Sequence, residues 1–213
     1  MIRCGEFWVP QENDRANDKI RDGMAEQIEA LHFALKHVTD KRMAIDGGAH
    51  VGVWTRIMAK NFNRVLAFEP QRPLWDCLFE NTKGLYNVER FCGALGEKYG
   101  TCEPQYKPNA SFSSRVKFDP KGVGERTPVL SIDGLRLPSV GLIKLDVEGS
   151  EYEALRGAEE TIRRDHPVLI LEYKHWGAKK KDGQPYQKEW IESFLSECGY
   201  RIVWKRRPDR VYI

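Results

Sequence analysis

The sequence has no apolar run long enough to cross a bilayer; stretches such as Val168–Leu171 are only strand-sized. Met1–Pro10 carries Arg3 and Glu6 but no apolar segment, so no secretory leader is expected and a cytoplasmic location is. Cysteine is scarce: Cys4, Cys77, Cys92, Cys102 and Cys198 form an odd set without a Cys-x-x-Cys spacing. That argues against a zinc site or a disulfide framework and for reduced thiols. Internal repeats and linker-like stretches are also missing, so 1–213 is expected to be a single domain. With 41% hydrophobic and 31% charged residues, the chain has the composition of a globular protein. Charge of one sign is not dominant overall, at +3, yet residues 174–210 hold ten Lys or Arg against five Asp or Glu. No aromatic-interleaved basic motif accompanies that edge, so nucleic acid is a possible but not a favoured partner.

What is present alternates between short apolar runs and amphipathic stretches. Ile20, Met24, Ile28, Leu31 and Leu35 recur at helical spacing, which predicts a helical lead-in over residues 1–40. Strands are expected at Met43–Ile45, Val65–Phe68, Val88–Gly93, Val140–Val147 and Val168–Leu171. Helices are expected at Val53–Ala59, Leu74–Asn81, Ser150–Arg164 and Lys188–Cys198. Ser150 with Glu153 reads as a capping box for the third of these. Residues 96–126 show no period and are expected to form an irregular loop on the substrate side. The pattern specifies an α/β domain built on a doubly wound, mainly parallel sheet. Tyr200–Trp204 and Arg210–Ile213 are read as a hairpin supplying an antiparallel C-terminal edge.

The most informative segment runs Met43-Ala-Ile-Asp-Gly-Gly-Ala-His-Val-Gly-Val-Trp-Thr55. A buried strand delivers Asp46 to the carboxyl edge of the sheet, where open α/β folds bind ligands. Gly47 and Gly48 permit a tight turn and close backbone approach, and Gly52 opens the next helix. A second strand ends in Glu69, placed to accept both hydroxyls of a ribose. A dinucleotide needs a loop that cradles pyrophosphate, and the charge of Asp46 would repel it. That carboxylate suits the ammonium of an amino acid instead, so the two acids match the two polar ends of S-adenosylmethionine.

Three stretches, IDGGAHVGVWT (45–55), LAFEP (66–70) and LIKLDVEGSEYEALRGAEETIRRDHPVLILE (142–172), resemble the FkbM family of methyltransferases. The resemblance implies a Rossmann-like class I methyltransferase fold and methyl transfer from S-adenosylmethionine, commonly to an oxygen. It places Asp46, Gly48, His50, Gly52 and Thr55 along the methionine half of the cofactor, with Gly47 and Ala49 in the same loop. Glu69, with Pro70 beside it, is implied for the ribose, and Gly93–Ala94 for the adenine edge.

In LIKLDVEG, Lys144, Asp146 and Glu148 alternate, so they share one face if the strand runs straight. Lys144 is equally well read as half of a buried ion pair. Asp146 and Glu148, at the strand's carboxyl end, are the candidate catalytic bases, with His50 as another; Asp146 also borders the cofactor. These carboxylates with Glu151 and His50 have the chemistry to bind magnesium, but acids in such crevices often serve the cofactor alone, and no metal is assigned. The expected acceptor is a small-molecule or glycan hydroxyl. The alternatives are a nucleic-acid methyltransferase and a cofactor-binding subunit without activity. Against methylation of a base, the place of an Asn/Asp-Pro-Pro-Tyr-like element is taken by Asp146-Val-Glu-Gly149.

Overall fold

The computed structural model describes residues 1–11, 25–104, 116–117, 126–173, 187–206 and 208–213. Five apolar runs become parallel strands: β3 (Met43–Gly47), β4 (Arg64–Phe68), β5 (Val88–Phe91), β10 (Leu142–Leu145) and β11 (Val168–Glu172). The C-terminal hairpin adds β12 (Ile202–Arg206) and β13 (Asp209–Tyr212), giving the order β12-β13-β11-β10-β3-β4-β5. The chain starts in the middle at β3, builds outward to β5, then returns to the other side of β3. The crevice of such a sheet opens at that reversal, between the carboxyl tips of β3 and β10.

Alternation along each strand feeds two cores. Ile45, Leu66, Ile143 and Leu169 face the helices α4 (Glu151–Arg156), α5 (Glu159–Asp165) and α6 (Gln187–Glu197). Ala44, Val65, Leu142 and Ile170 pack with α1 (Ala25–Leu35), α2 (Val53–Ala59) and α3 (Arg72–Thr82). The doubly wound α/β architecture is thus as the sequence indicates. Among the described residues no helix is long and apolar enough to cross a membrane, and none of the five cysteines forms a disulfide.

Several boundaries differ from the sequence-based expectation. The antiparallel strand is β13, inserted between β11 and β12, so the outermost strand β12 runs parallel to the rest. The lead-in is not wholly helical: β1 (Ile2–Cys4) and β2 (Phe7–Val9) form a hairpin around Gly5, at φ +58°. Residues 96–126 are not uniformly irregular, because β7 (Gly100–Pro104) and β8 (Val116–Lys117) join β6 (Ala94–Leu95) and β9 (Thr127–Leu130) in a small second sheet. The expected helix 150–164 breaks at Gly157, where a Cβ would stand 2.1 Å from the Gly96 carbonyl oxygen. Asp133 restarts it, its carboxylate accepting from Glu160 N at 3.0 Å and Thr161 N at 2.9 Å. Ser150 makes no side-chain cap, so the capping box does not form. Of the basic stretch 174–210, residues 174–186, with Lys179, Lys180 and Lys181, lie outside the described residues.

Candidate functional site

The glycine loop leaves β3 as a tightly bonded turn. Gly48 N and Ala49 N both donate to the Phe68 carbonyl at 2.9 Å, and His50 N donates to Glu69 Oε2 at 2.9 Å. The amides that would cradle a phosphate are therefore already engaged. Gly48 is indispensable: it sits at φ +74°, and a Cβ there would lie 1.8 Å from the Asp146 carbonyl oxygen. His50 also takes the left-handed conformation, at φ 53°.

Beneath the loop lies an ion pair. Asp46 is 0% exposed; Lys144 Nζ stands 3.1 Å from its Oδ1 and Thr55 Oγ1 donates to its Oδ2 at 2.6 Å. Lys144 Nζ also donates to the Gly48 carbonyl at 2.6 Å. Burial lowers the proton affinity of this ammonium, but the Asp46 and Asp146 carboxylates outweigh it and leave the net pKa raised. The expectation that Asp46 receives a ligand's ammonium needs correction: it is enclosed and its charge is already met by Lys144. Asp46, Thr55 and Lys144 form the support of the loop, and Gly47 and Gly52 are likewise buried in it.

Glu69, 3% exposed, closes the β4 side. Its Oε1 accepts from Gln71 N at 3.0 Å and its Oε2 from His50 N, each oxygen retaining a lone pair for a donor hydroxyl. Burial raises its pKa to about 7 against the opposing effect of those two amides. This carboxylate fits a ribose: a preformed acceptor pair at the tip of β4, with half-buried Pro70 next to it. Gly93 and Ala94, expected at the adenine edge, are buried, Ala94 packing with Cys102 and Val129 in the small sheet. Half-buried Phe91, stacked on Phe68 at 4.7 Å, and Cys92 occupy the tip of β5.

The acidic wall lies across the crevice. β10 stops at Leu145, and Glu148 at φ 54° followed by Gly149 at φ 99° turns the chain out of the strand. The straight-strand alternation therefore fails at Glu148, a left-handed non-glycine residue of the strained kind found at functional turns. Carboxylate oxygens of Asp146, Glu148 and Glu172 nevertheless lie within 4.8 Å of one another, a donor set spaced to take a divalent cation. Asp209, paired in register with Glu172, has its pKa raised to about 7 by burial and by Asp146. Glu151, 1% exposed, sits behind this wall rather than in it: its Oε1 accepts from Val147 N at 3.0 Å and Gly149 N at 3.2 Å, shaping the turn.

The structure thus brings Asp46, Gly47, Gly48, Ala49, His50, Gly52, Thr55 and Glu69 into one loop assembly, facing Asp146 and Glu148. His50 makes a poor base, because burial and the Lys144 charge depress its pKa to about 3. Glu151 as the brace of the turn emerges only from the fold; the buried ion pair of Lys144 is one of its two sequence readings, to which the fold adds the bond to the Gly48 carbonyl. By sequence, Glu172 and His175 at the end of the next strand are further candidates to approach the acceptor; Glu172 joins the acidic wall, whereas His175 lies outside the described residues.

The family described as methyltransferase FkbM domain matches residues 46–202. Methyltransferase 1 of Beauveria bassiana is 27% identical over 150 residues, 57% of this chain and 60% of that one. The hexuronic acid methyltransferase AglP of Haloferax volcanii is 25% identical over 180 residues, 77% of this chain and 68% of that one. A crystal structure of methyltransferase FkbM from Methylobacillus flagellatus KT shares the fold, with a TM-score of 0.56 and 22% identity over 81% of this chain. The aligned part is 43% of that solved chain, so the sequence spans well under two thirds of some of the proteins it matches.

Proposed function

Because the chain belongs to the FkbM family of methyltransferase domains, we propose that it transfers a methyl group to a hydroxyl of a sugar, glycan or related metabolite. Its cofactor is S-adenosylmethionine, which when bound supplies a methyl group already activated on a sulfonium. The observation that carries this reading is the pairing of Glu69, preformed for a ribose, with the Asp146–Glu148 wall across a glycine loop whose Gly48, Ala49 and His50 amides are already engaged. Asp146, whose carbonyl abuts Gly48, takes the cofactor's ammonium in place of the enclosed Asp46. Glu148 accepts the proton of the acceptor hydroxyl. The rest of the site's work is alignment of donor and acceptor.

The glycan reading draws support from the Haloferax volcanii relative named a hexuronic acid methyltransferase. It is tested by tritiated-methyl transfer from S-adenosylmethionine into glycan, lipid, RNA and small-molecule fractions of a cell extract. Label in glycans or small hydroxylated metabolites is expected; label confined to RNA would overturn it. On an acceptor so found, Glu148→Gln is expected to lower kcat by about 10²–10⁴-fold with cofactor affinity kept, the usual share of a general base.

A further inference from the structure

The side-chain amide of Asn81, on α3, is committed to two separate backbone segments. Its Oδ1 accepts from Trp8 N at 2.6 Å, and its Nδ2 donates to Trp8 O and to Val51 O, both at 2.8 Å. The exchange with Trp8 copies that of two paired strand residues, so β2 is fastened to α3. The third bond reaches the last turn of the glycine loop. Val51 is fully buried against Cys4 and Val9 of the hairpin and Leu74 and Cys77 of α3. From the other side, Arg56 of α2 pairs with Glu6 at 2.8 Å and lies over the Phe7 ring at 4.8 Å. The hairpin, which precedes the family-matched residues 46–202, therefore packs against the glycine loop through Val51 and is tied to it through Asn81.

We propose that the β1–β2 hairpin is a backstop for the cofactor loop and that Asn81 is the positioning residue coupling the two, setting cofactor affinity without touching the cofactor. The proposal rests on the cofactor reading above and adds a determinant remote from the crevice. Without Asn81 the Val51 carbonyl loses this donor, and on the hairpin side the turn keeps the apolar packing of Val51 but not the hydrogen bond that fixes its backbone.

The test is calorimetric titration of S-adenosylhomocysteine into wild type, Asn81→Ala and Gly5→Val, with thermal melts of each protein alone. The hydrogen bond to the loop corresponds to about a tenfold rise in Kd for Asn81→Ala. Gly5→Val places a β-branched residue at positive φ, disturbs the hairpin turn with Asn81 intact, and is expected to raise Kd in the same direction. A purely structural role would lower the melting temperature and leave Kd at its wild-type value; that result in either folded variant overturns the proposal. If Asn81→Ala does not fold, Gly5→Val decides. Failure of wild type to bind would sink the cofactor reading as well, whereas equal binding by all three sinks the backstop alone.

Discussion

Replacing Lys144 by Met probes the element on which the glycine loop stands. Lys144 is 4% exposed and Asp46 0% exposed, so the substitution leaves a carboxylate without its counter-ion in a place water does not reach. It also strips the Gly48 carbonyl of its 2.6 Å donor and leaves Asp46 the bond from the Thr55 hydroxyl. Breaking one side of such a pair costs about 3–5 kcal/mol. Against the roughly 5–15 kcal/mol that stabilises a domain, this is a large loss. At about 2–4 °C per kcal/mol for a chain of this size, the melting temperature should fall by about 6–20 °C. Urea denaturation monitored by tryptophan fluorescence measures the same quantity. The double variant Asp46→Asn/Lys144→Met removes the stranded charge and is expected to recover most of the loss. A loss under about 1 kcal/mol, or a double variant no better than the single one, would refute the reasoning.

Other expectations follow from the two acids that shape the crevice. Glu69 must be ionised to accept two ribose hydroxyls, and its pKa is raised to about 7, chiefly by burial. Affinity for S-adenosylhomocysteine should therefore rise with pH, approaching about tenfold per unit on the acid side and levelling off above neutrality. Calorimetry in buffers of different ionisation enthalpy should show proton release near pH 6. No release, or tighter binding in acid, would contradict that role. Glu151→Ala removes the acceptor of Val147 N and Gly149 N and is expected to cost about 1–3 kcal/mol for the stranded amides. Because it misplaces Asp146 and Glu148, it should also lower turnover by more than tenfold; unchanged turnover would show that the turn holds its shape without it.

The parallel sheet was legible because its strands are buried on both faces and read as continuous apolar runs, as in Val168–Leu171. The glycine loop and Glu69 were legible because strand ends deliver them to one edge. What escaped the sequence depends on contacts distant along the chain. The three-residue strands of the N-terminal hairpin are too short for alternation to register. Asp133, 27 residues ahead of the Glu160 amide it accepts from, splits a segment that by local pattern is one helix. The role of Asp46 was misread for the same reason. A carboxylate at a strand tip looks open to a ligand until Lys144, on the neighbouring strand, is found in register with it.

The most direct measurement is a crystal structure grown with saturating S-adenosylhomocysteine. The ribose hydroxyls should rest on the Glu69 carboxylate, with the amino-acid end at Asp146 beside Gly48. A crevice that stays empty at saturation, or a ligand lying elsewhere with Glu69 making no contact to its ribose, would contradict the account.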